Sequence, residues 1–308
     1  MKKFLYFIVF LMILCLLSLV GTKLFSPYFR SGPSVLDANK NKSNINQAKV
    51  IKKPSLLKDL DININTESYI VLDRETLTPL VEKNSKEKLP LASITKLMTV
   101  LIALENRKND ETVQIKNDFS YLPQNKLGLF YGEKISMENL LYAALIPSAN
   151  DAAEALAYYI GKGDYGLFLK MMNAKAKELG MNNTSFSNAT GLDNVSNYST
   201  VYDLVYLAHY ALSNQFISEA VRLKEKTIAN FAGDTIYNLK ATNELLDDKD
   251  FQFFGLKTGK TPLAGECLVT LVKLKNGQEI ITAVLGSTDR FGETKKLVQW
   301  IDENVTWK

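Results

Sequence analysis

The stretch LPLASITKLMTVLIAL, residues 89–104, places a serine and a lysine at the start of a strongly apolar run. Residues 97–104 are apolar apart from Thr99, which predicts a helix buried in the middle of a domain. Ser93 and Lys96 are three positions apart, so on a helix they lie on one face and can touch. Two hypotheses follow. Either Ser93 caps the helix while Lys96 extends to solvent, or Ser93 is a nucleophile and Lys96 its base.

The order of elements around this helix predicts the fold class. β-rich runs form a hairpin at 67–84, and strands return at 253–286 before a last helix at 288–305. Between them lie helices, and Pro147 divides the helical stretch 137–161 into two. This order predicts an α+β fold: an antiparallel sheet built from both chain ends and flanked by helices, with a mostly helical subdomain inserted.

Local patterns add detail to this plan. Two further helices are predicted at about 164–180 and 200–223. The pair Asn276-Gly277 between the last two strands predicts a two-residue type I′ turn, in which both central residues have positive φ.

The N-terminal segment predicts a membrane anchor or an export signal. Residues 4–20 are apolar except for Ser18 and follow Met-Lys-Lys. No small-residue cleavage site follows them, which favours an uncleaved anchor with the body outside the cytoplasm; cleavage would give a secreted protein. The predicted organisation is therefore an anchor or signal at 1–21, a basic polar linker at 22–60 and a catalytic body at 61–308.

The charge distribution and the cysteines exclude several classes of function. Of the net charge of +4, residues 22–60 contribute +6, and residues 61–308 sum to −4. The body therefore lacks the basic surface of a nucleic-acid-binding protein, and no nucleic-acid partner is predicted. Cys15 and Cys267 show no disulfide or metal-ligand spacing, so neither a metal nor a cofactor is predicted.

The single histidine of the chain limits the mechanisms open to a serine nucleophile. His209 lies in an apolar helical pattern, which favours a structural role. A Ser-His-Asp triad needs an imidazole, whereas a Ser-Lys pair does not. To act as a base, Lys96 needs its pKa lowered from ~10.4 to about 7–8, which burial and a neighbouring cation can cause.

Two further motifs strengthen the nucleophile hypothesis. Ser-Ala-Asn at 148–150 falls at the helix break, where its side chains can face a cleft, although Ser148 or Asn150 could simply cap the next helix. Lys-Thr-Gly at 257–259 ends a strand, where a glycine allows a ligand to approach closely. Ser-x-x-Lys, Ser-x-Asn and Lys-Thr-Gly, in this order, are typical of penicillin-binding proteins and serine β-lactamases.

With these motifs the sequence resembles low-molecular-mass penicillin-binding proteins of the D-alanyl-D-alanine carboxypeptidase type. The similarity runs from about residue 60 to the end, through blocks such as GEKISMENLLYAALIPSANDAA, TSFSNATGLD, ATNELL and GLKTGKTPLAGECLV. The resemblance implies an enzyme at the extracytoplasmic face of a bacterial membrane, held there through residues 4–20. Its substrates would be peptidoglycan stem peptides ending in D-Ala-D-Ala, and β-lactam antibiotics would inhibit it covalently.

The resemblance also implies a role for each candidate residue. Ser93 would be the acylated nucleophile and Lys96 its general base. Ser148 and Lys257 would relay the proton to the departing D-alanine, and Lys257 would also lower the pKa of Lys96. The substrate-binding residues would be Asn150 for the peptide backbone, Thr258 and Arg290 for the terminal carboxylate, and Gly259 and Lys260 at the strand edge, where the Lys260 and Ser93 N–H groups form the oxyanion hole.

Three alternatives remain open at this point. A DD-transpeptidase or endopeptidase would use the same residues, because the motifs do not specify the acceptor. A serine β-lactamase is less favoured, because the stretch NNTSFSNATGLDNVSN at 182–197 has no glutamate to activate water. A non-catalytic wall-binding or β-lactam-binding module has no need of a base. The middle motif also departs from the family pattern, since Ser-Ala-Asn stands where the carboxypeptidases usually have Ser-Gly-Asn.

Overall fold

The computed structural model describes residues 52–56, 62–123 and 125–308. The predicted anchor at 1–21 and most of the predicted linker lie outside these residues. Within the described part, no helix is both long and apolar enough to cross a membrane.

A five-stranded antiparallel sheet forms the centre of the described body. The strands in chain order are β1 (Pro54–Leu56), β2 (Thr66–Asp73), β3 (Pro79–Lys83), β4 (Leu89–Pro90), β5 (Thr112–Gln114), β6 (Lys134–Ser136), β7 (Tyr198–Ser199), β8 (Glu225–Ala229), β9 (Ile236–Lys240), β10 (Gln252–Thr261), β11 (Gly265–Lys273), β12 (Glu279–Ser287) and β13 (Val305–Trp307). The central sheet has the order β10-β11-β12-β2-β3, with Ile70 opposite Ala283 where the early and late strands meet. Both ends of the body therefore contribute to one sheet, which confirms the predicted α+β fold.

Seven α-helices accompany the sheet in the described part of the chain. They are α1 (Thr95–Asn106), α2 (Met137–Leu145), α3 (Asn150–Ile160), α4 (Tyr165–Glu178), α5 (Val201–Ala211), α6 (Gln215–Ala220) and α7 (Arg290–Asn304). The break at Pro147 is confirmed. The single helix predicted at 200–223 is two helices, because the Asn214 side chain accepts a hydrogen bond from the Ile217 N–H and starts α6.

The helix α1 is the centre of the core, as the quoted stretch predicted. Leu97, Met98 and Val100 have no solvent exposure. Burying side chains of this kind stabilises a fold by about 1.5–3 kcal/mol each. The helix is therefore a rigid support for the residues at its N-terminal end.

The turn between the last two strands differs from the prediction. Gly277 has φ +87°, but Asn276 does not have a positive φ. The Gly277 N–H donates to the Leu274 carbonyl, and the Leu274 N–H donates to the Gln278 carbonyl. This pattern is a type I turn followed by a left-handed glycine, so the hairpin is confirmed and the type I′ prediction is wrong.

Four two-stranded pairs were not predicted: β1–β13, β4–β7, β5–β6 and β8–β9. Strands β8 and β9 form a hairpin beside the helices. Strand β1 pairs with β13, so residues 54–56, which fall in the predicted linker, are part of the folded body. The Trp307 indole N–H of β13 donates to Asp73 Oδ2 at 2.7 Å, which joins this pair to the central sheet.

Candidate active site

Ser93 lies on a tight turn directly before the central helix. Ala92–Ile94 form one turn of 3₁₀ helix, and Ala92 has φ +47°, a left-handed conformation that costs about 1–3 kcal/mol outside glycine. Such strained residues are concentrated at functional sites. The first residue before α1 is Ile94, which has no capping side chain, so the structure does not use Ser93 as a helix cap.

Two glycines pack closely against this turn. A Cβ on Gly191 would lie 1.8 Å from the Ala92 carbonyl oxygen, and a Cβ on Gly259 would lie 2.8 Å from the Ala92 Cβ. The same Cβ on Gly259 would be 3.0 Å from the Ser93 nitrogen. Strand β10 therefore approaches the serine backbone closely, as the Lys-Thr-Gly motif predicted.

Lys96 is fully buried and points at Ser93. Its Nζ donates to Ser93 Oγ at 2.9 Å, to Asn150 Oδ1 at 2.8 Å and to the Thr190 carbonyl at 2.7 Å. These three bonds match the three protons of an ammonium group. Burial lowers the pKa of Lys96 to about 7, against the opposing charges of Glu154 and Asp151. The structure therefore rules out a solvent-directed Lys96 and leaves a lysine that can accept a proton near neutral pH.

The Ser-Ala-Asn motif occupies the break between α2 and α3. Ser148 has φ +65° and is buried, and within the described residues its Oγ has no hydrogen-bond partner. Ala149, at the cap of α3, provides no side-chain cap, so neither neighbour serves as one. A buried hydroxyl without a partner is costly, which is expected of a group that bonds a ligand. Asn150 joins the site through its bond to Lys96.

The loop before this motif is fixed by one buried carboxylate. Asp151 accepts hydrogen bonds from the backbone N–H groups of Leu127, Gly128 and Leu129 at 2.8–3.1 Å. The Asn150 N–H also donates to the Asn125 carbonyl at 2.7 Å. The loop therefore packs against the start of α3, whose first residue, Asn150, bonds to Lys96.

Lys257 and Thr258 enter from β10. The strand pairing is irregular between Phe253 and Leu256, and Leu256 has φ +153°. Lys257 is buried, and its Nζ donates to the Thr258 carbonyl at 3.1 Å. The Thr258 hydroxyl is 2.5 Å from that of Thr242.

The two buried lysines, Lys96 and Lys257, are coupled electrostatically. Burial, Lys96 and Arg290, in decreasing order, hold the pKa of Lys257 well below its usual value. Lys257 is not among the causes that lower the pKa of Lys96. The lowering of the pKa of Lys96 by Lys257 stays a prediction.

Arg290 begins α7 and reaches β10. Its Nη1 donates to the Gly259 carbonyl at 3.0 Å, and its backbone N–H donates to Glu266 Oε2. Its Nε is buried and, in the part of the chain that the structure describes, has no hydrogen-bond partner. The Lys260 side chain is 68% exposed and pairs with Glu266, so only its backbone N–H remains for the predicted role.

Several residues of the site were missed in the sequence. They are Glu154, Tyr165, Thr190 and Thr242. Thr190 and Thr242 lie within the blocks TSFSNATGLD and ATNELL, whose resemblance was noted without a role for these positions. Glu154 follows Asn150 by one helical turn, a spacing that places both on one face of α3 and could have indicated it.

Comparison with known proteins agrees with this geometry. A sequence profile described as D-alanyl-D-alanine carboxypeptidase matches residues 52–289. The chain belongs to this D-alanyl-D-alanine carboxypeptidase family. The resemblance inferred from the motifs is thereby confirmed.

The chain is similar to proteins that are named for three activities: carboxypeptidase, endopeptidase and transpeptidase. It is 32% identical over 245 residues to the D-alanyl-D-alanine carboxypeptidase DacF of Bacillus subtilis, covering 77% of this chain and 61% of that protein. It is 35% identical over 248 residues to a D-alanyl-D-alanine endopeptidase of Escherichia coli, covering 78% of each. The crystal structure of the Streptomyces K15 DD-transpeptidase superposes with a TM-score of 0.72 at 30% identity, covering 79% of this chain and 98% of that one.

Proposed function

We propose that the protein is a serine-type D-Ala-D-Ala carboxypeptidase that trims peptidoglycan stem pentapeptides through an acyl-enzyme on Ser93. The observation that carries the proposal is the 2.9 Å hydrogen bond between Lys96 Nζ and Ser93 Oγ. With a pKa of about 7, Lys96 is neutral in about half of the molecules at pH 7 and can then accept the serine proton. Family membership gives the substrate class.

In acylation, Ser93 Oγ attacks the carbonyl carbon of the penultimate D-alanine while its proton moves to Lys96. The carbonyl oxygen becomes an oxyanion, which the backbone N–H groups of Ser93 and Lys260 stabilise; such donors contribute about 3–4 kcal/mol each in other hydrolases. The C–N bond then breaks. The leaving amine takes a proton through Ser148 and Lys257, and D-alanine departs.

In deacylation, water attacks the ester carbonyl carbon. Its proton passes to the lysine and serine side chains that carried protons in acylation. The C–Oγ bond breaks, which restores Ser93 and releases the shortened peptide. A β-lactam would acylate Ser93 in the same way, but its ring-opened product has no separate leaving group, so it would stay in the site.

The terminal carboxylate of the substrate explains the cations near β10. Arg290 is fixed by Gly259 and keeps an unused Nε. A carboxylate bound beside Thr258 would also favour the protonated form of Lys257. Substrate binding would thus supply the proton that the leaving amine requires.

The test is release of D-alanine from a pentapeptide ending in D-Ala-D-Ala by the full chain. We expect release that is abolished by Ser93→Ala and by prior incubation with penicillin. The matched control is Ser85→Ala, the serine of another Ser-x-x-Lys match, which should keep wild-type activity. If no D-alanine and no penicillin adduct on Ser93 are found, the proposal fails.

A second candidate is transfer or endopeptidase cleavage by the same acyl-enzyme. Its support is the endopeptidase name of the Escherichia coli relative and the transpeptidase name of the Streptomyces K15 structure. Assays with an added amine acceptor, and with cross-linked muropeptides, distinguish it. Transfer or cleavage faster than D-alanine release would make it the main activity, whereas rapid nitrocefin turnover would indicate a β-lactamase.

We further propose that residues 4–20 anchor the protein at the extracytoplasmic face of the bacterial membrane. The support is the apolar run after Met-Lys-Lys, which lies outside the described residues. The full chain should sediment with membranes and be cleaved by protease added to intact cells from which the outer wall layers are removed. A chain lacking residues 4–20 should stay in the cytosol. Recovery of the full chain in the cytosol would refute the proposal.

A further inference from the structure

A second carboxylate, that of Glu154, lies near Lys96 and has no role in the mechanism above. Glu154 is on α3, one helical turn after Asn150, and only 5% exposed. A buried carboxylate is costly unless it is hydrogen-bonded or paired with a cation. Its partners therefore indicate what it does.

A chain of hydrogen bonds links Glu154 to the acceptor of Lys96. The Tyr165 hydroxyl donates to Glu154 Oε1 at 2.9 Å and accepts from the Ala189 N–H at 3.0 Å. The next carbonyl along the chain, that of Thr190, accepts from Lys96 Nζ at 2.7 Å. Thr99 holds the same segment from α1, because its hydroxyl donates to the Ala189 carbonyl at 2.7 Å.

Glu154 also acts on Lys96 through its charge. Its charge raises the pKa of Lys96 against the effect of burial. Burial raises the pKa of Glu154 itself, and the hydrogen bond from Tyr165 and the charge of Lys96 oppose that rise. The other carboxylate nearby, Asp151, is already bonded to backbone N–H groups of the adjoining loop. The remaining titratable neighbours are Tyr121, Tyr158, Tyr165 and, beyond Lys96, Lys257.

We propose that Glu154 and Tyr165 are positioning residues for Lys96. Tyr165 holds the backbone of residues 189–190, whose Thr190 carbonyl orients the amine, and the Glu154 carboxylate stabilises the ammonium ion that forms when Ser93 loses its proton. This rests on the proposed Ser93 acylation. A neutral lysine in an apolar pocket is a weak acceptor, because the charge it gains is not compensated; a buried carboxylate behind it removes this difficulty.

The variant Glu154→Gln tests the charge alone, since a glutamine oxygen can still accept from Tyr165. Acylation by a fluorescent penicillin is followed from pH 5 to 9 in the full chain. We expect the midpoint of the acid limb to fall by about one pH unit, because Lys96 loses a stabilising charge. The plateau rate should fall about tenfold, the factor that corresponds to one pKa unit.

Tyr165→Phe tests the positioning, because it keeps the ring and removes both hydrogen bonds. It should lower the plateau about tenfold, and thermal unfolding checks that the variants are folded. The matched control is Glu111→Gln, since Glu111 accepts from Tyr159 at 2.8 Å in the same kind of pair and is absent from the causes acting on Lys96.

Two results would overturn the inference separately from the proposed function. If the wild-type protein acylates but both variants keep its midpoint and plateau within twofold, as Glu111→Gln should, then Glu154 and Tyr165 are not positioning residues. A lower plateau with an unmoved midpoint in Glu154→Gln would refute the charge role. If the wild-type protein does not acylate at all, the proposed function fails and this inference falls with it.

Discussion

Lys96 and Lys257 are both fully buried lysines of one site, but they differ in their hydrogen bonds and in the charges around them. Lys96 bonds to three oxygen acceptors and is flanked by Glu154 and Asp151. Lys257 bonds to the Thr258 carbonyl and is influenced by two cations, Lys96 and Arg290. Burial lowers the pKa of both, but carboxylates offset the effect at Lys96 and cations add to it at Lys257. The neighbours, and not the depth of burial, therefore decide which lysine is the base.

The largest expected effect comes from removing each lysine in turn. Lys96→Met should lower the rate of Ser93 acylation by about 10⁴-fold, the upper range for loss of a general base. Lys257→Met should lower it only about 10²-fold, because another donor can protonate the leaving group. The measurement is acylation by penicillin under single-turnover conditions. Equal losses in the two variants would show that the lysines act as one unit.

A smaller effect is expected from moving β10 without changing either lysine. Gly259→Ala introduces a Cβ at 2.8 Å from the Ala92 Cβ, so the strand must shift away from Ser93. Acylation should fall about tenfold to a hundredfold, because sub-ångström displacement of reacting groups has costs of this size. Gly233→Ala, in an exposed turn where a Cβ has no neighbour within 4 Å, is the control for a glycine-to-alanine change outside β10 that causes no clash. An unchanged rate in Gly259→Ala would mean that the close approach is not required.

The pH dependence of acylation separates the lysines further. Only the neutral form of Lys96 accepts a proton, and that form increases as the pH rises through its pKa of about 7. The rate should therefore rise about tenfold per unit below this pH and level off above it. Lys257 does not accept the serine proton and should not set this limb. A midpoint near 10 would mean that the burial of Lys96 does not lower its pKa in solution.

The smallest expected effect is proton uptake when substrate binds. A carboxylate placed beside Arg290 and Lys257 raises the pKa of Lys257, so the complex should take up a fraction of a proton at neutral pH. Calorimetric binding of a D-Ala-D-Ala peptide to the Ser93→Ala variant, in buffers of different ionisation enthalpy, measures it. The same titration with Lys257→Met should show no uptake. Uptake that persists in that variant would assign the proton to another group.

The main elements of the fold could be predicted from local patterns in the sequence. The apolar run at 97–104 could only be a buried helix, and strands at both ends of the body implied a shared sheet. The turn at Asn276-Gly277 was harder, because its type depends on the number of residues between the paired strands, which the dipeptide does not reveal. The β1–β13 pair joins segments about 250 positions apart, and no short-range pattern in three residues reports such a contact.

The residues of the site that belong to sequence motifs could be predicted. The residues that act through tertiary contacts could not. Ser93, Lys96 and Lys257 were identified by residue type and order. The roles of Glu154 and Tyr165 arise because the backbone of residues 189–190 bonds to both Tyr165 and Lys96, and a sequence does not show which carbonyl a buried amine will reach.

The pairing of β1 with β13 has a consequence for the connectivity of the chain. Lys53 and Lys308 exchange backbone hydrogen bonds, each N–H donating to the other carbonyl. The two ends of the described body are thus already side by side, and a short flexible loop could join them without disturbing the sheet. Circular permutants that join these ends and are opened in an exposed turn such as that at Gly233 should keep the fold.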